Sequence, residues 1–194
     1  MTDFWLYFNI GLHHVLDIHA YDHVLFLLVL TVPYTFKDWK NILLLVTLFT
    51  IGHTTALVLS VYGVITVNSA AVEFLIPITI LATALYNLFI SAKKSSGSTI
   101  NFIAFTTLFF GIIHGLGFSN YFKIIIDKQD TKLLPLLEFA LGIEGAQLIV
   151  VLVSLLLGFA LQRFAGLQKR DWVLVTSAFV AGVVVPMIIQ NKFW

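Results

Sequence analysis

The sequence predicts an all-α fold, a polytopic bundle of about six membrane-spanning helices plus an N-terminal interfacial or re-entrant helix. Three observations predict it. Of 194 residues, 59% are hydrophobic and only 11% charged, whereas a soluble domain carries about 25% charged residues. Apolar runs close to the roughly 20 residues that cross the hydrocarbon core recur along the whole chain. No polar half is left over to fold separately, so residues 1–194 read as a single integral membrane domain.

The stretch Thr2 to His19 mixes aromatics with Asp and His and is expected to pack on the bundle as the interfacial or re-entrant helix. It lacks the basic n-region and small-residue cleavage site of a secretory signal, with no Lys or Arg before Lys37, and is expected to remain in the mature protein. Six spans follow at 20–36, 40–63, 69–91, 101–126, 133–162 and 172–190. Their clearest separators are the Lys93–Ser98 run and the segment Gly166 to Arg170.

Six spans put both termini on one side of the membrane. The alternate loops then gather Lys37, Lys40, Lys93, Lys94, Arg163, Lys169 and Arg170, against Lys123, Lys128, Lys132 and Lys192 on the terminal side. The positive-inside rule assigns the first group to the cytoplasm and both termini to the outside of a bacterial inner membrane. Trp5 and Trp194 then mark the outer interface, Trp39 and Trp172 the inner one. A net charge of +1 with scattered basic residues argues against a nucleic-acid partner. The absence of cysteine excludes disulfides and thiolate metal sites, so any metal ligands must be nitrogen or oxygen.

An ionisable side chain inside a span costs a few kcal/mol on insertion scales and therefore marks function by default. His14, Asp17, His19, Asp22 and His23 cluster around the start of the first span, and 19, 22 and 23 share a helical face at i, i+3 and i+4. His53 lies deep in the second span and His114 at similar depth in the fourth. A single such histidine is commonly an interhelical hydrogen-bond donor; two in one layer suggest a shared site. Glu73 opens the third span, and Pro77 frees the carbonyl of residue 73 from its helical bond. Glu144 and Gln147 stand at i and i+3 in the middle of the fifth span. Depth counting places His14, Asp22, His23, His53, Glu73 and His114 together in the outer half of the bilayer, with Asp17, His19, Glu144 and Gln147 as secondary candidates. Such nitrogen and oxygen donors suit Ni²⁺, Co²⁺, Zn²⁺, Mn²⁺ or Fe²⁺.

The ordered set Gly11-Leu12-His13-His14, Tyr21-Asp22-His23-Val24-Leu25-Phe26, Gly52-His53-Thr54, Val72-Glu73, His114-Gly115-Leu116-Gly117 and Gly142-Ile143-Glu144 resembles the HupE/UreJ family over nearly the whole chain. That resemblance implies a hydrogenase or urease accessory membrane protein associated with nickel or cobalt uptake. It places metal recognition on His14, on the Asp22–His23 pair and on His114 with Gly115. Seven residues rather than five separate His14 from Asp22, which implies a divergent branch.

Three functions compete at this stage. The first is a divalent-cation permease or metal-delivery accessory protein. The second is an intramembrane zinc hydrolase acting on a lipid or peptide bond, with Glu73 or Glu144 as general base. The third is a structural partner subunit whose polar residues knit helices together.

Overall fold

A computed structural model describes residues 3–18, 20–92, 100–126 and 131–192. Seven α-helices and no strand occur among them: α1 (Asp3–Leu16), α2 (Asp22–Thr31), α3 (Trp39–Val61), α4 (Ser69–Ala92), α5 (Ile100–Ile126), α6 (Leu133–Phe164) and α7 (Lys169–Gln190). Five are long and apolar enough to cross a membrane, so the chain is an integral membrane protein with a helical bundle. Exposure is inverted relative to a soluble protein: Phe105, Phe109, Leu148, Phe159 and Phe179 face outward, where lipid is their solvent.

The first expected span, 20–36, is shorter than predicted. Helix α2 has ten residues, about 15 Å of rise, which is half the hydrocarbon thickness. Pro33 ends it, because it offers no N–H to the carbonyl of Val29. The Asn87 side-chain amide donates to that carbonyl instead, at 2.6 Å, and ties α2 to α4. A capping box then starts the next segment, with the Thr35 N–H and hydroxyl both donating to Asp38 at 2.9 and 2.8 Å.

Glycine decides how the long helices meet. A Cβ on Gly111 would strike the Phe49 backbone, and one on Gly115 would strike the His53 backbone. Four residues along α5 therefore match four along α3, so the two helices run in the same direction with their backbones in contact. Gly11 and Gly142 allow the same approach between α1 and α6, each against the other helix's backbone. The N-terminal helix is thus packed on the bundle.

Asn120 donates to the Ser69 hydroxyl and Asn191 to the Glu73 carbonyl, so α5 and α7 end where α4 begins. The opposite end carries Lys37, Lys40, Arg163, Lys169 and Arg170 with Trp39 and Trp172. Lys123, Lys132 and Lys192 lie at the end shared by the α4 start. Lys93, Lys94, Lys128 and Trp194, which the sequence reading also used, fall outside the described residues.

Candidate metal centre

Two apolar clusters fill the bundle, one around Tyr7, Phe122, Phe139 and Ile143, the other around Phe26, Phe49, Ile80 and Val180. A histidine cluster lies at their seam. His14 and His53 approach Phe139, with ring centroids at 5.9 and 6.2 Å, while His23 and His114 approach Phe49 at 6.1 and 5.1 Å. His14 also packs against Phe118, with ring centroids 3.9 Å apart and planes tilted by 38°.

Each helix delivers its histidine for a local reason. His14 lies in the last turn of α1, and His23 is the second residue of α2, six residues after Asp17, whose carbonyl accepts from the Ala20 N–H in the α1–α2 turn. Breaking the chain here brings two histidines from separate helices to one depth. His53 stands about 12 Å from the Val61 end of α3 at 1.5 Å per residue, and Gly115 places α5 directly against its backbone. His114, next to that glycine, is carried alongside.

The geometry is that of convergent ligands. One atom each from His14, His23 and His53 lies within 4.8 Å of the other two. A tetrahedral metal with nitrogen at about 2.05 Å separates its ligands by about 3.4 Å, so the trio needs only a modest contraction. His114 adjoins it, its ring centroid 5.4 Å from that of His23.

Protonation states are set by the acceptors present. Nδ1 of His114 lies 2.8 Å from the Phe110 carbonyl, which can only accept, so Nδ1 carries the hydrogen and Nε2 the lone pair. Nδ1 of His23 donates to the Asp22 carboxylate at 3.1 Å, and the His23 backbone N–H donates to the same oxygen at 2.9 Å. That carboxylate–imidazole pair aims Nε2 of His23 away from Asp22, as metal-bound histidines are usually oriented. Five imidazole nitrogens, Nε2 of His14, His23, His53 and His114 together with Nδ1 of His53, are buried without a hydrogen-bond partner among the described residues. Each such orphan costs about 1–3 kcal/mol. A cation bound by these lone pairs would offset that cost; a purely structural cluster would not.

The other expected residues lie elsewhere. Glu73 is exposed at the start of α4, and the carbonyl that Pro77 frees is taken by Asn191 at 3.0 Å. Neither group joins the histidine trio. Asp17 is exposed, and His19 lies outside the described residues. Glu144 and Gln147 bond to Thr47 and Thr50 of α3 at 2.6 and 2.9 Å. His13, adjacent in sequence to His14, is exposed and bonded to the Asn9 carbonyl. One buried carboxylate escaped the sequence reading: Glu138 is 6% exposed, with Oε2 unpartnered among the described residues. Its signal was an acidic residue within an apolar span.

Replacing Asp22 with asparagine tests its orienting role. The carboxamide keeps the size but loses the charge that favours Nδ1–H on His23, so metal affinity should fall about 10–100-fold. Equilibrium dialysis of the purified protein would read that change, with circular dichroism showing an intact helical fold.

The family model described as HupE / UreJ protein matches residues 1–192 of the chain. No curated protein and no solved structure matches the chain.

Proposed function

Because the chain belongs to the HupE/UreJ family, we propose that it is a permease or metal-delivery accessory protein whose cargo is a divalent transition cation, nickel or cobalt first. The observation that carries this reading is the convergence of His14, His23 and His53 with their unpartnered nitrogens. An all-imidazole set beside one carboxylate suits Ni²⁺ or Co²⁺ as cargo and Zn²⁺ as competitor. Under this reading Asp22 and His114 complete the capture site, as holder of His23 and as a fourth donor.

The basic end of the bundle supports a cytoplasmic position for the starts of α3 and α7. In a bacterial inner membrane the histidine cluster then lies in the outer half, where it would take the ion from outside, and the C-terminus is extracytoplasmic. Hydrolysis is less well supported. A zinc hydrolase needs a carboxylate free to take a proton from bound water; of the two expected as general base, Glu144 is engaged by Thr47 and Glu73 is exposed, which leaves that role to the buried Glu138 alone.

Purified protein in liposomes loaded with a metal-sensitive dye should take up Ni²⁺ or Co²⁺ faster than empty vesicles. Equal rates for every candidate ion would end the transport reading. Binding should weaken as external pH falls, because protons compete for the same lone pairs and the ligands must be neutral. Titration of metal affinity between about pH 5 and 8 checks the sign.

A further inference from the structure

Below the histidine cluster, between α6 and the α3 helix that carries His53, four polar side chains pair at mid-helix depth. Thr50 is the central residue of α3 (Trp39–Val61), and Gln147 sits at the middle of α6 (Leu133–Phe164). The Thr47 hydroxyl donates to Glu144 Oε1 at 2.6 Å, and the Thr50 hydroxyl to Gln147 Oε1 at 2.9 Å. Gln147 is fully buried and its Nε2 has no partner among the described residues.

Helix packing alone does not call for this layer. Thr31 and Thr83 bond only their own backbone, at Leu27 and Thr79, whereas Thr50 reaches both its own Val46 carbonyl at 3.2 Å and the Gln147 side chain, and Thr47 reaches Glu144. A carboxylate at mid-bilayer depth costs about 2.5–3.5 kcal/mol on insertion scales, which an apolar pair would avoid. The layer also continues the site: Thr47, Thr50 and His53 are spaced at i, i+3 and i+6 along α3, and Phe139 of α6 touches the His53 ring.

We propose that Thr47, Thr50, Glu144 and Gln147 form a second, oxygen-lined station that receives the divalent cation from the histidine cluster on its way inward. The idea rests on the transport reading above. The two donor sets differ in the direction transport requires. Imidazole nitrogen captures Ni²⁺ or Co²⁺ firmly, while hydroxyl, carboxamide and carboxylate oxygens hold the same ions less tightly. A station that binds well enough to be entered and weakly enough to be left promotes passage. Glu144 supplies the charge that replaces part of the lost hydration, and Thr47 holds its carboxylate toward α3.

The experiment measures binding and uptake on the same preparations of wild type, Glu144→Gln, Thr47→Val and Thr47→Ser, using Ni²⁺ as the probe. Glu144→Gln should bind one Ni²⁺ with wild-type affinity, because the histidines are untouched, while its uptake into liposomes falls by about tenfold or more. Thr47→Val, close in shape, should lower uptake in the same direction, and Thr47→Ser should restore it. Wild-type uptake in Glu144→Gln would overturn the station and leave the layer as a clasp between helices. Loss of binding together with uptake would overturn it too, since the layer would then be part of the capture site. Binding without uptake in the wild type would instead remove the transport reading itself.

Discussion

His53→Ala is expected to lower Ni²⁺ or Co²⁺ affinity by more than about 100-fold, since loss of an outer-shell partner alone typically costs 10–100-fold. Three features make this the sharpest test of the centre. His53 is fully buried, it is one of the three converging ligands, and both of its ring nitrogens are unpartnered among the described residues. Removing the ring abolishes one donor and leaves a cavity against Phe139 and Phe49. The cavity costs stability on its own, so affinity must be read together with the thermal midpoint, and His53→Gln supplies a variant nearer in volume. The paired control is His13→Ala. That ring is exposed and bonded to the Asn9 carbonyl, next in sequence to a proposed ligand but pointing elsewhere. It should leave binding unchanged. Equal behaviour of His13→Ala and His53→Ala would sink the site.

The second large effect concerns assembly of the same site. Gly111→Val is expected to destabilise the bundle by about 1–3 kcal/mol or more, the usual range for overpacking. Its added atoms meet the Phe49 backbone rather than a yielding side chain tip. Because α3 and α5 share this seam over three glycines, Gly52, Gly111 and Gly115, the strain should push the helices apart and carry His53 from His114. The expected signature is a lower thermal midpoint in detergent together with weakened metal binding, although no ligand has been altered. A substitution at Gly182, where an added Cβ meets nothing within 4 Å, should cost much less. If Gly111→Val kept the wild-type midpoint, the close α3–α5 contact would be wrong.

The fold class was legible because membrane residence is written in composition and run length, and both are local quantities. Of the expected segments, five emerge as long apolar helices. The exception, 20–36, shows where counting fails. Its hydrophobic content was sufficient, but Pro33 and the polar Asp17–His23 stretch limit the helix to Asp22–Thr31. The candidate ligands were legible in part for a similar reason: a histidine or carboxylate inside an apolar run is conspicuous whatever it contacts. His14, Asp22, His23, His53 and His114 were grouped by depth, and the bundle brings these residues together. Glu73 was grouped by the same count and stands exposed at a helix start. Depth fixes a position along the membrane normal but says nothing about which way a side chain faces around its helix axis.

The sequence by itself determined that this chain lives in a bilayer as helices, that its polar residues at depth are too costly to be incidental, and that thiolate plays no part. Only the tertiary structure decided which of those residues share a space. That choice rests on Gly11, Gly52, Gly111, Gly115 and Gly142, whose missing side chains set which backbones touch and at what register. Contact between helices distant in sequence follows from where bulk is absent on both partners at once. The same contacts separate one polar set into a nitrogen cluster around His53 and an oxygen layer around Glu144.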